Sequence, residues 1–270
     1  MTTVTEEQSQ LDPFSLDACV DEPTPRPVRA VVYGTDGIGK TTFGSHWPGV
    51  RALFTEDGRR SIRIRHFPHI ATTYQDVINA MMAVLREPEK TGTFMLDSLD
   101  WLESLIWAET CARNNIESIE APGYGKGYVF ADDIWKELLR GFDALRDAGI
   151  HVLILAHNEV VRFNPPESEP YDRHDIKLHK RARAIVHEWA DVIAFAYEKT
   201  YTTTRTEGSG KNAKTITKGG ASGGRFLALE RKSTHEAKNG FGMPAEIPFT
   251  KDATTAQQFL YLIAQSYTQS

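Results

Sequence analysis

Residues 34 to 41 read Gly-Thr-Asp-Gly-Ile-Gly-Lys-Thr, and few patterns of eight residues restrict a fold so narrowly. Gly34, Gly37 and Gly39 let the backbone curl until its N–H groups face inward onto an anion. Lys40 is then placed to reach the β- and γ-phosphates of a nucleotide, and the Thr41 hydroxyl to bind Mg²⁺. Thr35, Asp36, Ile38 and Thr42 complete the nucleotide-binding stretch, 34–42. Such a loop needs a strand before it and a helix after it. Val28–Tyr33 is a β-rich apolar run, and Thr41–His46 opens a helix that Trp47-Pro48-Gly49 ends. The unit predicted is strand, phosphate loop, helix.

The rest of the chain continues that alternation. Arg51–Thr55 reads as a second strand, and Thr73–Leu85 carries Val77, Met81, Val84 and Leu85 at helical spacing. Thr93–Asp97 is an apolar strand ending in a carboxylate, and Trp101–Cys111 is expected to be helical. Asn114–Phe130, with Pro122, Gly123, Gly125 and Gly127, reads as a loop; Asp132–Ala148 returns to helical spacing. His151–Ala156 has the unbroken apolar character of a strand buried on both faces. The expectation is an α/β protein, a mostly parallel sheet covered by helices. A polar stretch with Pro165, Pro166 and Pro170 follows, and Lys199–Leu229 reads as strands joined by the Gly/Ser/Lys-rich segment Glu207–Gly224.

Length and composition set bounds. A chain of 270 residues can bury one sizeable core. Residues 1–26 are polar and acidic, with Pro13, Pro23 and Pro25, and are expected to form a disordered arm before a domain over 27–250 and a C-terminal helix or tail over 251–270. No apolar run approaches the roughly 20 residues of a membrane span, and Met1–Gln10 lacks the pattern of a secretory signal, so a cytoplasmic protein is expected. Cys19 and Cys111 have no metal-site or disulfide spacing. The net charge of −5 conceals an asymmetry: Arg173–Lys238 holds 14 basic and 7 acidic residues, leaving 17 basic against 29 acidic elsewhere. A local surface for a polyanion is one reading of this +7 segment; a solvated basic face is the other.

Four side chains outside the loop carry candidate chemistry. Asp97, at the end of its strand, is where a carboxylate organising Mg²⁺ belongs, with helix capping as the competing role and Asp100 as the weaker candidate. Glu56, past the end of the second strand, is the candidate for orienting the attacking water, and neighbouring Asp57 could exchange roles with it. His157, with Asn158, ends a buried strand in polar groups that could sense the γ-phosphate; a satisfied structural histidine is the alternative. In open α/β sheets ligands sit off the carboxyl ends of the strands, so Glu56, Asp97 and His157 are expected to converge with the loop on one crevice.

In their order these motifs resemble the RecA-type ATPase core. More narrowly, the chain resembles short phage nucleotide-binding proteins of the AAA type, which include core-only RecA-like single-strand annealing recombinases. The resemblance is carried by Leu53–Gly58, Met95–Leu99, Tyr124–Tyr128, Ile154–His157 and Glu236–Pro244, and spans Val28–Phe249. It implies a RecA-like P-loop NTPase core with a C-terminal β-hairpin extension, ATP with Mg²⁺ as the bound nucleotide, and hydrolysis. It also implies single-stranded DNA as a partner, held by two mobile segments corresponding to about 116–130 and 159–183. The first offers Tyr124, Lys126 and Tyr128; the second offers Arg162, Lys177, Lys180, Arg181 and Arg183. A single-strand DNA-binding protein is a further implied partner. Related ATPases assemble head to tail as rings or filaments, with a basic residue completing the next subunit's site. Arg231, Lys232 and Lys238 are the candidates, and Lys238 is preferred because the stretch around it resembles the family most. Two other classes stay open: a small-molecule or nucleotide kinase, and an assembly ATPase acting on a protein.

Overall fold

The structure, a computed structural model, describes residues 15–19, 21, 23–58, 61–167, 169–207 and 214–268, with 200–207 and 214–222 described through strand pairing alone. Residues 1–14, 20 and 22 of the expected arm, 208–213 of the Glu207–Gly224 segment, and 269–270 of the tail lie outside this set.

The strands are β1 (Arg29–Gly34), β2 (Val50–Phe54), β3 (Thr93–Asp97), β4 (His151–Phe163), β5 (Tyr171–Ile176), β6 (Val192–Glu207), β7 (Lys214–Ala228), β8 (Lys238–Asn239) and β9 (Glu246–Pro248). The helices are α1 (Lys40–Ser45), α2 (Tyr74–Arg86), α3 (Leu99–Asn114), α4 (Lys126–Asp147), α5 (Lys180–Trp189) and α6 (Thr254–Ser266). One sheet runs in the order β2-β3-β4-β1-β6-β7-β9, with β5 on β4 and β8 on β6. From β2 to β6 every pairing is parallel, and β7 and β9 add antiparallel. The fold is an α/β RecA-like P-loop NTPase core, and the expected hairpin is β6–β7, built directly onto the last parallel strand.

Strand alternation divides the core into two layers. From β1, Val31 and Tyr33 enter the layer beneath α2 to α5, with Leu138, Phe142 and Val186. Ala30 and Val32 enter the other, with Phe43 of α1 and Phe259 of α6. Helix starts follow local chemistry. Thr73 and Asp76 form a capping box on α2, in which Asp76 N–H donates to the Thr73 hydroxyl at 3.1 Å and Thr73 N–H to the Asp76 carboxylate at 2.9 Å. Such a cap contributes about 1 kcal/mol.

Two sequence expectations change here. The glycine-rich stretch read as a loop to Phe130 gives way to α4 at Lys126. Gly127 is buried in its first turn because a Cβ there would stand 1.9 Å from the Ile119 carbonyl oxygen. That glycine serves close packing, not mobility. The second expected mobile segment, 159–183, is instead a hairpin of β4 on β5, in register from Asn158↔Ile176 to Phe163↔Tyr171, followed by α5.

Candidate nucleotide site

Gly34 closes β1 between His157 of β4 and Ala196 of β6. A side chain there would meet the Ala196 carbonyl oxygen at 2.3 Å, so glycine is required by the packing of the strands. Gly37 and Gly39 have φ of 73° and 118°, the left-handed region that only glycine enters without strain, and they turn the chain on either side of Ile38. Ile38 is buried with Phe43 and Phe249 and anchors the loop tip. The Lys40 ammonium donates to the carbonyls of Gly34 at 2.8 Å and Thr35 at 3.0 Å. Burial lowers its pKa, against the opposing pull of Asp97.

The Thr41 hydroxyl donates to the Asp97 carboxylate at 2.7 Å. Burial pushes the Asp97 carboxyl above its ordinary range, and the Thr41 bond and Lys40 oppose that. A hydroxyl beside one buried carboxylate, next to a phosphate loop, is the donor set Mg²⁺ takes when phosphates and waters complete its shell. The residues therefore fit the ion. The Asp97–Ser98 peptide is cis. Ser98 donates its hydroxyl to Glu56 Oε1 at 2.8 Å, and its backbone N–H and carbonyl both bond the Thr55 hydroxyl, each at 2.8 Å. Glu56 is thus held at the ends of β2 and β3, beside Asp97.

His157 joins the same group. Its Nε2 lies 3.1 Å from Asp36 of the loop and 3.8 Å from Glu56, while Nδ1 lies 2.9 Å from Asp100. Asp100 also accepts the backbone N–H of His157 at 3.1 Å. The Asp100 hydrogen bond raises the His157 pKa, although burial works against it. Burial alone would raise the Asp100 carboxyl; the bonds from the His157 ring and backbone outweigh it and hold the carboxyl below its ordinary range. Asp100, read from the sequence as a weaker metal candidate, is the partner that orients the histidine. It lies three residues beyond Asp97, in the first turn of α3.

The residues expected to meet DNA are divided by the structure. Tyr124 is fully exposed, and Lys126, Lys177 and Lys180 are exposed as well, with the Lys177 ammonium 4.0 Å from Asp100. Tyr128 is already engaged: its ring stacks on His179 at 3.9 Å, edges onto Trp107, and its hydroxyl donates to Glu120 at 2.6 Å. Arg181 is gripped by Asp132, Arg183 by Glu159 at 2.7 Å, and Arg162 by Asp172 across the β4–β5 hairpin at 3.2 Å. These four hold structure together in this chain. The two segments nevertheless touch, through Tyr128 on His179, and Arg181 reaches Asp132 just beyond the first. A 430 Å³ cleft lies between α3 and the second segment, lined by Asp100, Trp101, Glu103 and Trp107 on one side and Glu159, Lys177 and His179 on the other. Buried Glu103 accepts the His179 backbone N–H on both oxygens, and burial pushes its carboxyl up to about 7.

Lys238 is not brought to the site. Its ammonium donates to the carbonyls of His187 and Glu188 at 2.9 and 3.0 Å, closing the last turn of α5. Its strand pairs with the start of β6, opposite the end where the loop lies. A role on a neighbouring subunit would require Lys238 to give up these two bonds. Arg225 of β7, which nothing in the sequence singled out, reaches the loop instead, donating to the Ile38 carbonyl at 2.8 Å.

A phosphate loop backed by Thr41 on buried Asp97 and an oriented glutamate, at the carboxyl ends of a parallel sheet, defines a P-loop ATPase. The chain belongs to the AAA_24 family of AAA domains, whose profile matches residues 26–241. No curated protein matches the sequence. Among solved structures it is similar to the KaiC-like protein PH0186 from the hyperthermophilic archaeon Pyrococcus horikoshii OT3, at 12% identity and a TM-score of 0.40, over 85% of this chain and 88% of that one. Among the described residues, no helix is long and apolar enough to cross a membrane.

Proposed function

We propose that this AAA-type ATPase binds single-stranded DNA and uses ATP to set its DNA-bound, assembled state, in annealing or strand exchange. The observation that carries the reading is the contact of the two segments, 116–130 and 159–183, beside the nucleotide site. Tyr128 on His179 joins them, and Asp100, which holds His157, lines a cleft with Lys177 and His179 of the second segment. Exposed Tyr124 and Trp101 offer rings for base stacking, and Lys126, Lys177 and Lys180 offer charge for phosphates. Arg162, Arg181 and Arg183 are set aside as DNA contacts because carboxylates hold them.

In hydrolysis, Lys40 leaves the Gly34 and Thr35 carbonyls for the β- and γ-phosphates. Thr41 and Asp97 would hold Mg²⁺, which when bound would supply positive charge against the phosphates. Ser98 fixes one oxygen of Glu56, leaving the other to accept a proton from the attacking water. His157 Nε2, now beside Asp36, is the donor that a γ-phosphate would claim from it. For completing a neighbour's site in a ring or filament, exposed Arg231 and Lys232 are preferred to Lys238, whose ammonium closes α5.

Anisotropy of a labelled single strand tests the DNA reading. The expected result is binding that weakens from about 50 to about 200 mM salt, with a salt slope that falls by about 2 when Lys126, Lys177 and Lys180 become alanine. Absence of salt-sensitive binding refutes it.

A further inference from the structure

Arg225 stands at the root of the β6–β7 hairpin, opposite Glu198. Its backbone is fixed from the other side too, since its carbonyl accepts the Phe249 N–H at 2.8 Å. From this anchored position the guanidinium Nη1 bonds the Ile38 carbonyl at 2.8 Å, and a Cβ built on Gly39 would lie 3.5 Å from the same nitrogen. The tip of the phosphate loop is therefore held twice, by the buried Ile38 side chain and by its carbonyl. The positive-φ glycines on either side, Gly37 and Gly39, are the joints that would otherwise leave it free. Ordering such joints costs entropy on binding, and a restraint already in place removes part of that cost. A guanidinium suits the task, because it keeps its charge and has donors to spare beside a loop that receives a polyanion.

We propose that Arg225 is a positioning residue of the nucleotide site. It holds the loop in its phosphate-wrapping shape through the Ile38 carbonyl, and it ties the root of the β6–β7 hairpin to nucleotide occupancy. The inference rests on the ATPase assignment and is independent of the DNA reading.

The test compares R225Q and R225K with the wild-type full chain by equilibrium ATP binding, steady-state ATPase and thermal melting. R225Q is expected to raise Kd and KM for ATP by about 5- to 20-fold with kcat within about twofold, because loop order is used in binding and not in the chemical step. R225K, which keeps the charge and a donor, should fall between. Hydrogen exchange at the backbone of 225–228 should slow on ATP binding in wild type and not in R225Q. An R225Q Kd within about twofold of wild type overturns the proposal, as does a fall in kcat at constant KM. Equal losses in both variants with early melting also overturn it, by making Arg225 a purely structural tie. If ATP leaves wild-type exchange at 225–228 unchanged, the link to the hairpin is overturned. ATP binding by wild type is the control that separates these outcomes from failure of the ATPase assignment.

Discussion

Replacing Asp100 by asparagine changes one oxygen to an amide and leaves the volume nearly constant. The side chain is 5% exposed and accepts both the backbone N–H of His157, at 3.1 Å, and its ring Nδ1, at 2.9 Å. The amide oxygen can keep the backbone bond, but the charge behind the ring contact is gone. A hydrogen bond to a charged group contributes about 1.5–3 kcal/mol. With His157 21% exposed, solvent screening trims this to about 2 kcal/mol. For a chain of this size that corresponds to a Tm lower by about 4–8 °C. The pH dependence has a fixed sign. His157 has its pKa raised in the folded state, so its stabilisation is fully present below the ordinary histidine value of about 6.5 and is lost as pH rises through the raised value. Asp100 has its pKa lowered, so its stabilisation is present above the ordinary aspartate value of about 3.9 and is lost as pH falls through the lowered value. The Tm offset between wild type and D100N should therefore be largest between the ordinary aspartate and histidine values, about pH 3.9 to 6.5, and narrow as pH rises through the raised His157 value. Melting curves across that range check it. An offset below about 1 °C at every pH, or one that widens upward, would refute the reasoning.

Three further substitutions separate the roles at the site. Asp97→Asn should lower Mg²⁺-dependent ATPase at least about 100-fold while ATP still binds, read by turnover and equilibrium titration together. Glu56→Gln should lower kcat by about 10²–10⁴ with unchanged ATP affinity; loss of affinity would place Glu56 in binding instead. Lys238→Ala should remove the closure of α5, costing about 0.5–1 kcal/mol and about 1–4 °C in Tm, with ATPase per subunit unchanged. A collapse of ATPase in that variant would return Lys238 to the role of acting on a neighbour.

Much of the site is legible in the sequence because its parts are local. Gly34–Thr41 carries its meaning in its own spacing, and Asp97 and His157 each end an apolar run, so the parallel-sheet rule places them at one crevice. What escapes are partnerships across the chain. Asp100 finds His157 only when β3 and β4 lie side by side, and Arg225 reaches Ile38 from a strand far along the sequence. Lys238 carries no local mark that distinguishes a helix-closing lysine from one offered to a neighbour. Gly127 misleads for a related reason: glycine serves flexible loops and tight packing alike, and only the Ile119 carbonyl decides between them. The β4–β5 hairpin was masked by its prolines, although Pro165 and Pro166 fall where a turn was needed between two alternating strands.

The central claim, an ATPase coupled to single-stranded DNA, meets its most direct test in the steady-state ATPase rate with and without a single strand, at low and high salt. The expected result is a several-fold rise in rate on adding DNA, weaker at high salt and reduced when Lys177 and Lys180 are alanine. The same rate with and without DNA at both salt concentrations would contradict it.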